Sequence, residues 1–356
     1  MCARGLSLYS RHGRLGPSGR LRLFQYEPWL REQFGPISIH ALVDDANLRR
    51  LYAAHGYDRR LLARGYLRRL AELLSDSRAK WIEKELLPYL PAWFERLLLR
   101  GSGPVVFDYD DAAFHNYDQH RSRAVRLLLG GKIDRLMARA DLVTVGNEYL
   151  ADRARAAGSA RVEIVPTVID LDRYELVDDD ARRHRPVVVG WIGSPGSQRY
   201  LAGIQAPLSR LIGRGVVRCR LVGATPAAAW EAGVESVPWT EDSEVQQIRT
   251  FDIGVMPLPD EPWARGKCAY KLIQYMACGI PVVASPVGAN RDVVRHGVNG
   301  LLAQGEREWE DALAALAADP ALRQKMGREG RARVEREYCV QVTAPRIVSL
   351  FRTLGA

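Results

Sequence analysis

Two runs decide the reading of this chain: Asp252-Ile-Gly-Val-Met-Pro-Leu-Pro259 and, a few residues on, Arg265-Gly-Lys-Cys-Ala-Tyr-Lys271-Leu-Ile-Gln274-Tyr-Met-Ala-Cys-Gly279-Ile-Pro-Val-Val-Ala-Ser285-Pro-Val-Gly288. They read as a buried strand, a loop, an amphipathic helix stopped by glycine, and a second buried strand that ends in a glycine turn. Lys267 and Lys271 are four residues apart, so a helix would stack them on one face. The chain is otherwise poor in lysine and rich in arginine. Two lysines at a strand-to-helix junction point to charge neutralisation, with phosphate as the natural client. Arg265 joins them, and Gly266 permits close backbone approach. Gln274, one turn after Lys271, shares roughly the same face. Two solvated surface lysines are the plainer alternative.

Upstream, Val187-Val-Val-Gly-Trp-Ile192 reads as a buried strand followed by Gly193-Ser194-Pro195-Gly196, with Arg199 just beyond. This is a βα phosphate-loop candidate, although the spacing of Gly190, Gly193 and Gly196 is not the dinucleotide fingerprint. Further strands are expected at 218–222, 234–237, 281–284 and 300–303, with helices over 306–337, broken near Asp319-Pro320, and 340–353. The polar stretch 175–186 is the natural linker.

The first half repeats the pattern. Strands are expected at 5–9, 37–43, 104–108, 141–145 and 161–165, helices at 21–33 and 147–157, and a basic helix at 121–140. Residues 46–100 read as mostly helical, with Trp81, Tyr89, Trp93 and Phe94 on a face meant for the core, a partner or a membrane. The loop Gly13 to Gly19, which includes Gly16 and Ser18 and is flanked by Arg14 and Arg20, is read as a substrate-closing loop or an ordinary turn. Asp108, Asp110 and Asp111 crowd the end of a strand, where they could serve sugar hydroxyls, a Mg²⁺ ion or a helix cap. Strands alternating with helices predict an α/β fold with parallel sheets.

At 356 residues the chain is too long for one ordinary core. Its content of 47% hydrophobic and 26% charged residues is that of a globular protein. The net charge is +9 from 51 basic and 42 acidic residues. Nearly all of it falls in residues 1–100, with 18 basic against 10 acidic residues. That excess suits an anionic partner or membrane surface, or is a solvated arginine-rich face. Five cysteines without metal spacing suit free thiols in a reducing cytosol. No apolar run is long enough to span a membrane, and the N-terminus has no long apolar signal core. The expectation is therefore a cytoplasmic protein, at most peripheral at the inner face of the membrane. Nucleic acid is not an expected partner, because the basic residues lack the aromatic-and-basic strand pattern of single-strand binders.

The order Asp252-Ile-Gly-Val-Met-Pro-Leu, a basic loop, Gln274-Tyr-Met-Ala-Cys-Gly-Ile-Pro-Val-Val-Ala-Ser, Gly288 and His296-Gly-Val-Asn-Gly-Leu-Leu resembles the donor domain of the retaining GT-B glycosyltransferases of family 4. Val165-Pro166-Thr167-Val-Ile-Asp170 resembles the segment those enzymes carry at the end of their first domain. The resemblance is strong over about 140–305 and weaker before it. It implies two Rossmann-like domains facing a cleft: an acceptor-side domain over 1–174, a nucleotide-sugar domain over 187–337, and a final helix in 338–356 crossing back to the first. It also implies transfer with retention, from a nucleoside diphosphate sugar to a glycan or lipid-linked acceptor, without metal or other cofactor. The chain departs from the family at its paired glutamates, where it carries Gly266 and Gln274, and at the usual arginine, where it carries Ser194. The resemblance leaves Gln274 to bond ribose, and Lys267 and Lys271, with Arg199 or Arg265, to hold the diphosphate. Asp110-Asp111 stands where many members have His-Asp, so the sugar-orienting role passes to Asp110. A non-catalytic GT-B module and a sugar-nucleotide epimerase are the competing readings.

Overall fold

In a computed structural model, residues 5–52, 56–76, 78–177, 186–224 and 232–355 are described. Most of the expected linker, residues 178–185, lies outside them. The chain divides into two compact units. Unit 1 comprises Met1–Thr167 with Thr343–Ala356, and unit 2 comprises Val168–Val342.

Unit 1 is built on a six-stranded sheet in the order β2-β1-β3-β4-β5-β6. Its strands are β1 Leu6–His12, β2 Ile37–Val43, β3 Ala79–Glu83, β4 Val105–Tyr109, β5 Leu142–Val145 and β6 Val162–Ile164. Every pairing is parallel. Leu8, Ile82, Val106, Phe107, Val143 and Val145 are buried, as a sheet covered on both faces requires. Helix Val340–Thr353 enters this unit from Thr343 onward. Phe351 packs 5.3 Å from Trp81 and 6.3 Å from Phe34, and the Tyr26 hydroxyl meets Thr343 at 3.0 Å.

Unit 2 repeats the design in the order β12-β11-β10-β7-β8-β9. Its strands are β7 Val187–Ile192, β8 Val217–Val222, β9 Val234–Val237, β10 Ile253–Met256, β11 Val282–Ala284 and β12 Gly300–Leu302, all parallel. Val189, Trp191, Leu208, Leu221, Val255 and Leu313 sit in its core. Two glycines inside strands have specific causes. A side chain at Gly190 would strike the Phe251 ring at 1.9 Å, and one at Gly254 the Tyr275 ring at 2.3 Å.

The structure corrects two expectations. Residues 46–100 are mostly helical, over Asp45–Tyr52, Arg59–Ser75 and Ala92–Leu98, but they also carry a strand that was not expected, β3, which lies beside β1 in the sheet. Its sequence, Ala-Lys-Trp-Ile-Glu, puts a charge at each end of the strand. Both charges are buried, and Lys80 Nζ is satisfied by the carbonyls of Asp76 (2.7 Å) and Arg78 (3.1 Å). Trp81 therefore belongs to a strand and is buried in it. The basic helix expected over 121–140 is two helices, Arg123–Leu129 and Lys132–Met137, parted at Gly130-Gly131.

Candidate active site

In open parallel sheets, ligands collect beyond the carboxyl ends of the strands where the strand order reverses. In unit 2 that point lies between β7 and β10. The loop Gly193–Ser194 follows β7, and the segment from Pro257 to Lys271 follows β10. Gly193 donates to Val222 O at 3.0 Å, and a side chain there would meet the Trp191 ring at 2.6 Å. Gly223, at φ +79°, approaches so closely that a side chain would lie 2.3 Å from Gly193 O. Ser194 precedes the short helix Pro195–Gln198, and its carbonyl accepts from the Ser197 amide.

Lys267 and Lys271 come together by a route other than the expected helix face. The helix runs Tyr270–Ala277, and its N-cap Ala269 adopts φ 54°, in the left-handed region. Lys267 therefore sits in the loop before the helix. Its ammonium lies 5.6 Å from the Trp263 ring centre, and that of Lys271 lies 5.4 Å from Trp191. Burial, and then the Lys267 charge, push the Lys271 pKa down to about 7. Among the described residues no carboxylate forms an ion pair with Lys271.

Three further expected donor residues are engaged with other partners. Arg265 turns to Asp260, Nε to Oδ1 at 2.6 Å, and Arg199 bonds the Tyr200 hydroxyl at 3.0 Å. Neither pairing draws these guanidinium groups to the lysines. Gly266 takes an ordinary φ of −75°, so its place does not demand glycine's conformational freedom. Gln274 is buried, and its amide donates to the Tyr174 hydroxyl (2.9 Å) and to Glu244 Oε1 (2.8 Å). Glu244 also accepts from Trp239 Nε1 at 2.7 Å. Both amide hydrogens of Gln274 are thus used inside the fold, contrary to a ribose contact through them. Trp239 correspondingly bonds within the domain.

In unit 1 the strand order reverses between β1 and β3. Lys84, just past β3, reaches Asp111 Oδ2 at 2.8 Å, Asp110 Oδ1 at 3.1 Å and the Ser18 hydroxyl at 3.1 Å. The Lys84 charge holds the Asp110 carboxyl below its usual range against the cost of burial. Lys84 itself stands at φ 61°, a costly conformation for a lysine and one that clusters at working sites. Glu83 accepts from the Arg11 amide at 3.0 Å, and burial raises its pKa to about 7. The sequence reading missed Lys84 and Glu83. The available signal was lysine scarcity, because Lys84 is one of six lysines in the chain.

Asp108 separates from its neighbours. It is wholly buried in a fork with Arg22 (2.9 and 2.8 Å) and accepts from Thr144 Oγ1 at 2.6 Å. The Gly13–Gly19 stretch is a bonded turn that runs into a helix. Gly13 donates to Val43 O (3.1 Å) and Leu15 to Asp45 Oδ1 (3.2 Å). A side chain at Gly13 would lie 2.4 Å from Asp45, and one at Gly16 2.5 Å from His12. Helix Pro17–Arg22 follows and buries Arg20. Ser18 and Asp110-Asp111 thus meet through Lys84, while Arg20 is buried and Gly16 lies close against His12.

Residues 186–319 match the family model described as "Glycosyl transferases group 1". A D-inositol 3-phosphate glycosyltransferase from Actinosynnema mirum is 30% identical over 225 residues, 54% of this chain and 53% of that protein. The enzyme of the same name from Kribbella flavida is 29% identical over 225 residues, covering 55% and 52%. The chain thus spans about half the length of the curated relatives it matches. Among solved structures, sucrose-phosphate synthase from Thermosynechococcus elongatus superimposes with a TM-score of 0.72 at 17% identity, covering 99% of both chains. The Anabaena protein HepE, solved with UDP and glucose, gives 0.72 at 17% identity over 98% of this chain and 100% of its own. Over residues 186–319 the second unit is thus similar to the glycosyl transferases group 1 family, and the whole chain shares the GT-B fold of these solved structures.

Proposed function

We propose that the protein transfers a sugar, with retention, from a nucleoside diphosphate sugar to a hydroxyl of a glycan or lipid-linked acceptor. The observation that carries this reading is the lysine pair, Lys271 over Trp191 and Lys267 over Trp263, where strand order reverses in a unit similar to glycosyl transferases group 1. Two ammonium groups near neutral pH offer what a departing diphosphate needs as its charge develops. A diphosphate would also restore the proton that burial and Lys267 draw from Lys271. In unit 1, Asp110 and Asp111 are held by Lys84 and suited to accept hydrogen bonds from sugar hydroxyls. The lysines supply the positive charge, so turnover is expected to persist in EDTA. The work is expected to be cytoplasmic. HepE was solved with UDP-glucose, which makes UDP-sugars the first donors to try.

Ligand-induced thermal shift with UDP, GDP, dTDP and ADP sugars, free of metal, tests the donor site. A donor at 100 times its Kd adds about 2.7 kcal/mol to stability. One nucleotide class is expected to shift the wild type and not Lys267→Ala. The same variant is expected to lose about 10²-fold or more in kcat. Normal turnover in folded Lys267→Ala, or strict dependence on added Mg²⁺, would sink the assignment. Nucleotide binding without release in the presence of acceptor extracts would favour a non-catalytic module. Donor conversion without acceptor would favour an epimerase.

A further inference from the structure

Unit 1 exposes large apolar side chains in one neighbourhood. Leu127 is 85% exposed and Leu128 72%, on the Arg123–Leu129 helix. Trp93 is 64% exposed on the Ala92–Leu98 helix, and Tyr89 just before it 54%. Side chains burying this much apolar area normally face a core, so their gathering marks a contact surface.

The pieces are structurally continuous. The Tyr89 ring lies 6.4 Å from that of His120, whose carbonyl accepts from Arg126 of the Arg123–Leu129 helix. Lys132, just past that helix, reaches Glu95 of the Ala92–Leu98 helix at 2.7 Å. Tyr89 stands at φ 61°, an outlying conformation for a bulky residue, and its amide is fixed to the Tyr117 hydroxyl at 3.0 Å.

Along the two segments that carry these side chains, the exposed charges share one sign. Between Asp118 and Asp134 the chain carries Arg121, Arg123 and Arg126, besides the buried Lys132, and no carboxylate. Between Glu95 and Asp108 it carries Arg96 and Arg100 and again none. The bordering acids are committed elsewhere: Glu95 is buried against Lys132, and Asp118 and Asp134 pair with Arg153. Leucine pairs and a tryptophan set among unopposed arginines match the interface of an anionic bilayer. The apolar groups enter the acyl boundary and the guanidinium groups meet lipid phosphates.

We propose that unit 1 docks on an anionic lipid surface through the Arg123–Leu129 helix, with Trp93 and Tyr89 beside it. The contact proposed is a peripheral one; no helix among the described residues is long and apolar enough to cross a membrane. The proposal stands apart from the transferase reading, because its readout is binding rather than turnover. The Lys84 cluster lies past the carboxyl ends of β3 and β4, the strands that lead into these same segments.

Co-sedimentation of the full chain with vesicles tests it. Binding to phosphatidylcholine vesicles containing phosphatidylglycerol is expected to exceed binding to pure phosphatidylcholine by about 10-fold, and to weaken with salt. The paired change Leu127→Asp, Leu128→Asp and the pair Arg121→Glu, Arg123→Glu are each expected to lose most of it. All four side chains are exposed, so the melting temperature should hold and separate lost docking from lost folding. Equal sedimentation of variants and wild type, equal affinity for both vesicle types, or no binding to either overturns the proposal. A solution dimer dissolved by Leu127→Asp overturns it too, by assigning the surface to a second copy of the chain.

Discussion

Lys271 is held in a state that costs the ligand-free protein stability. Its native pKa is about 7, whereas a lysine in the unfolded chain titrates near about 10.4. Between those values the unfolded chain binds more protons, so this group makes stability rise with pH across that window. Lys271→Met is therefore expected to flatten that rise in melting scans, leave the ligand-free protein no less stable at neutral pH, and abolish the nucleotide-induced shift. Nucleotide affinity of the wild type is expected to strengthen as pH falls through about 7, because the ammonium form is the one that meets phosphate. Calorimetry in buffers of differing ionisation heat would register the proton uptake, and its absence would contradict the account. Asp108 illustrates the opposite case. Asp108→Asn leaves the Arg22 guanidinium buried without its countercharge, for a loss of about 3–5 kcal/mol in urea unfolding. Three carboxylates in four residues were plain in the sequence. Which one was structural was not, because the choice rests on Arg22, a residue 86 positions away.

At the level of strands and helices, the alternating pattern was legible wherever strands were apolar throughout, as in Val187–Ile192 and Val282–Ala284. It failed at β3, whose Lys80 and Glu83 look like surface residues until the carbonyls and amides that satisfy them are known. The lysine pair was legible as a pair but not as a geometry. Helical spacing placed Lys267 one turn ahead of Lys271, and the left-handed Ala269 replaces that turn with a loop. A single unfavourable backbone angle leaves little trace in an amino-acid pattern. The glycines of β7 and β10 make a sharper prediction. Gly254→Ala drives a methyl group into Tyr275, whose hydroxyl accepts the Ile192 amide at 3.0 Å. The expected loss is about 1–3 kcal/mol in denaturant unfolding. An unchanged midpoint would show that the ring can move aside.

Over the whole molecule, two units with separate cores imply more than one unfolding step. A nucleotide held in unit 2 is expected to raise only the transition belonging to residues 168–342, and limited proteolysis with and without nucleotide would show which fragment is protected. Uniform protection of both units would count against that placement. Deleting residues 343–356 is expected to loosen unit 1 first, by uncovering Trp81 and Phe34 where Phe351 packs. The interleaved order of the units also bears on synthesis. As the chain leaves the ribosome, the strands of unit 1 emerge first, yet the helix that covers Trp81 is translated after the whole of unit 2. Unit 2 is one uninterrupted stretch and can close as soon as it clears the exit tunnel, while the older half of the nascent chain waits with an uncapped face. Of the two units, the one made earlier is thus the last finished, and for that interval it is the one in need of a chaperone.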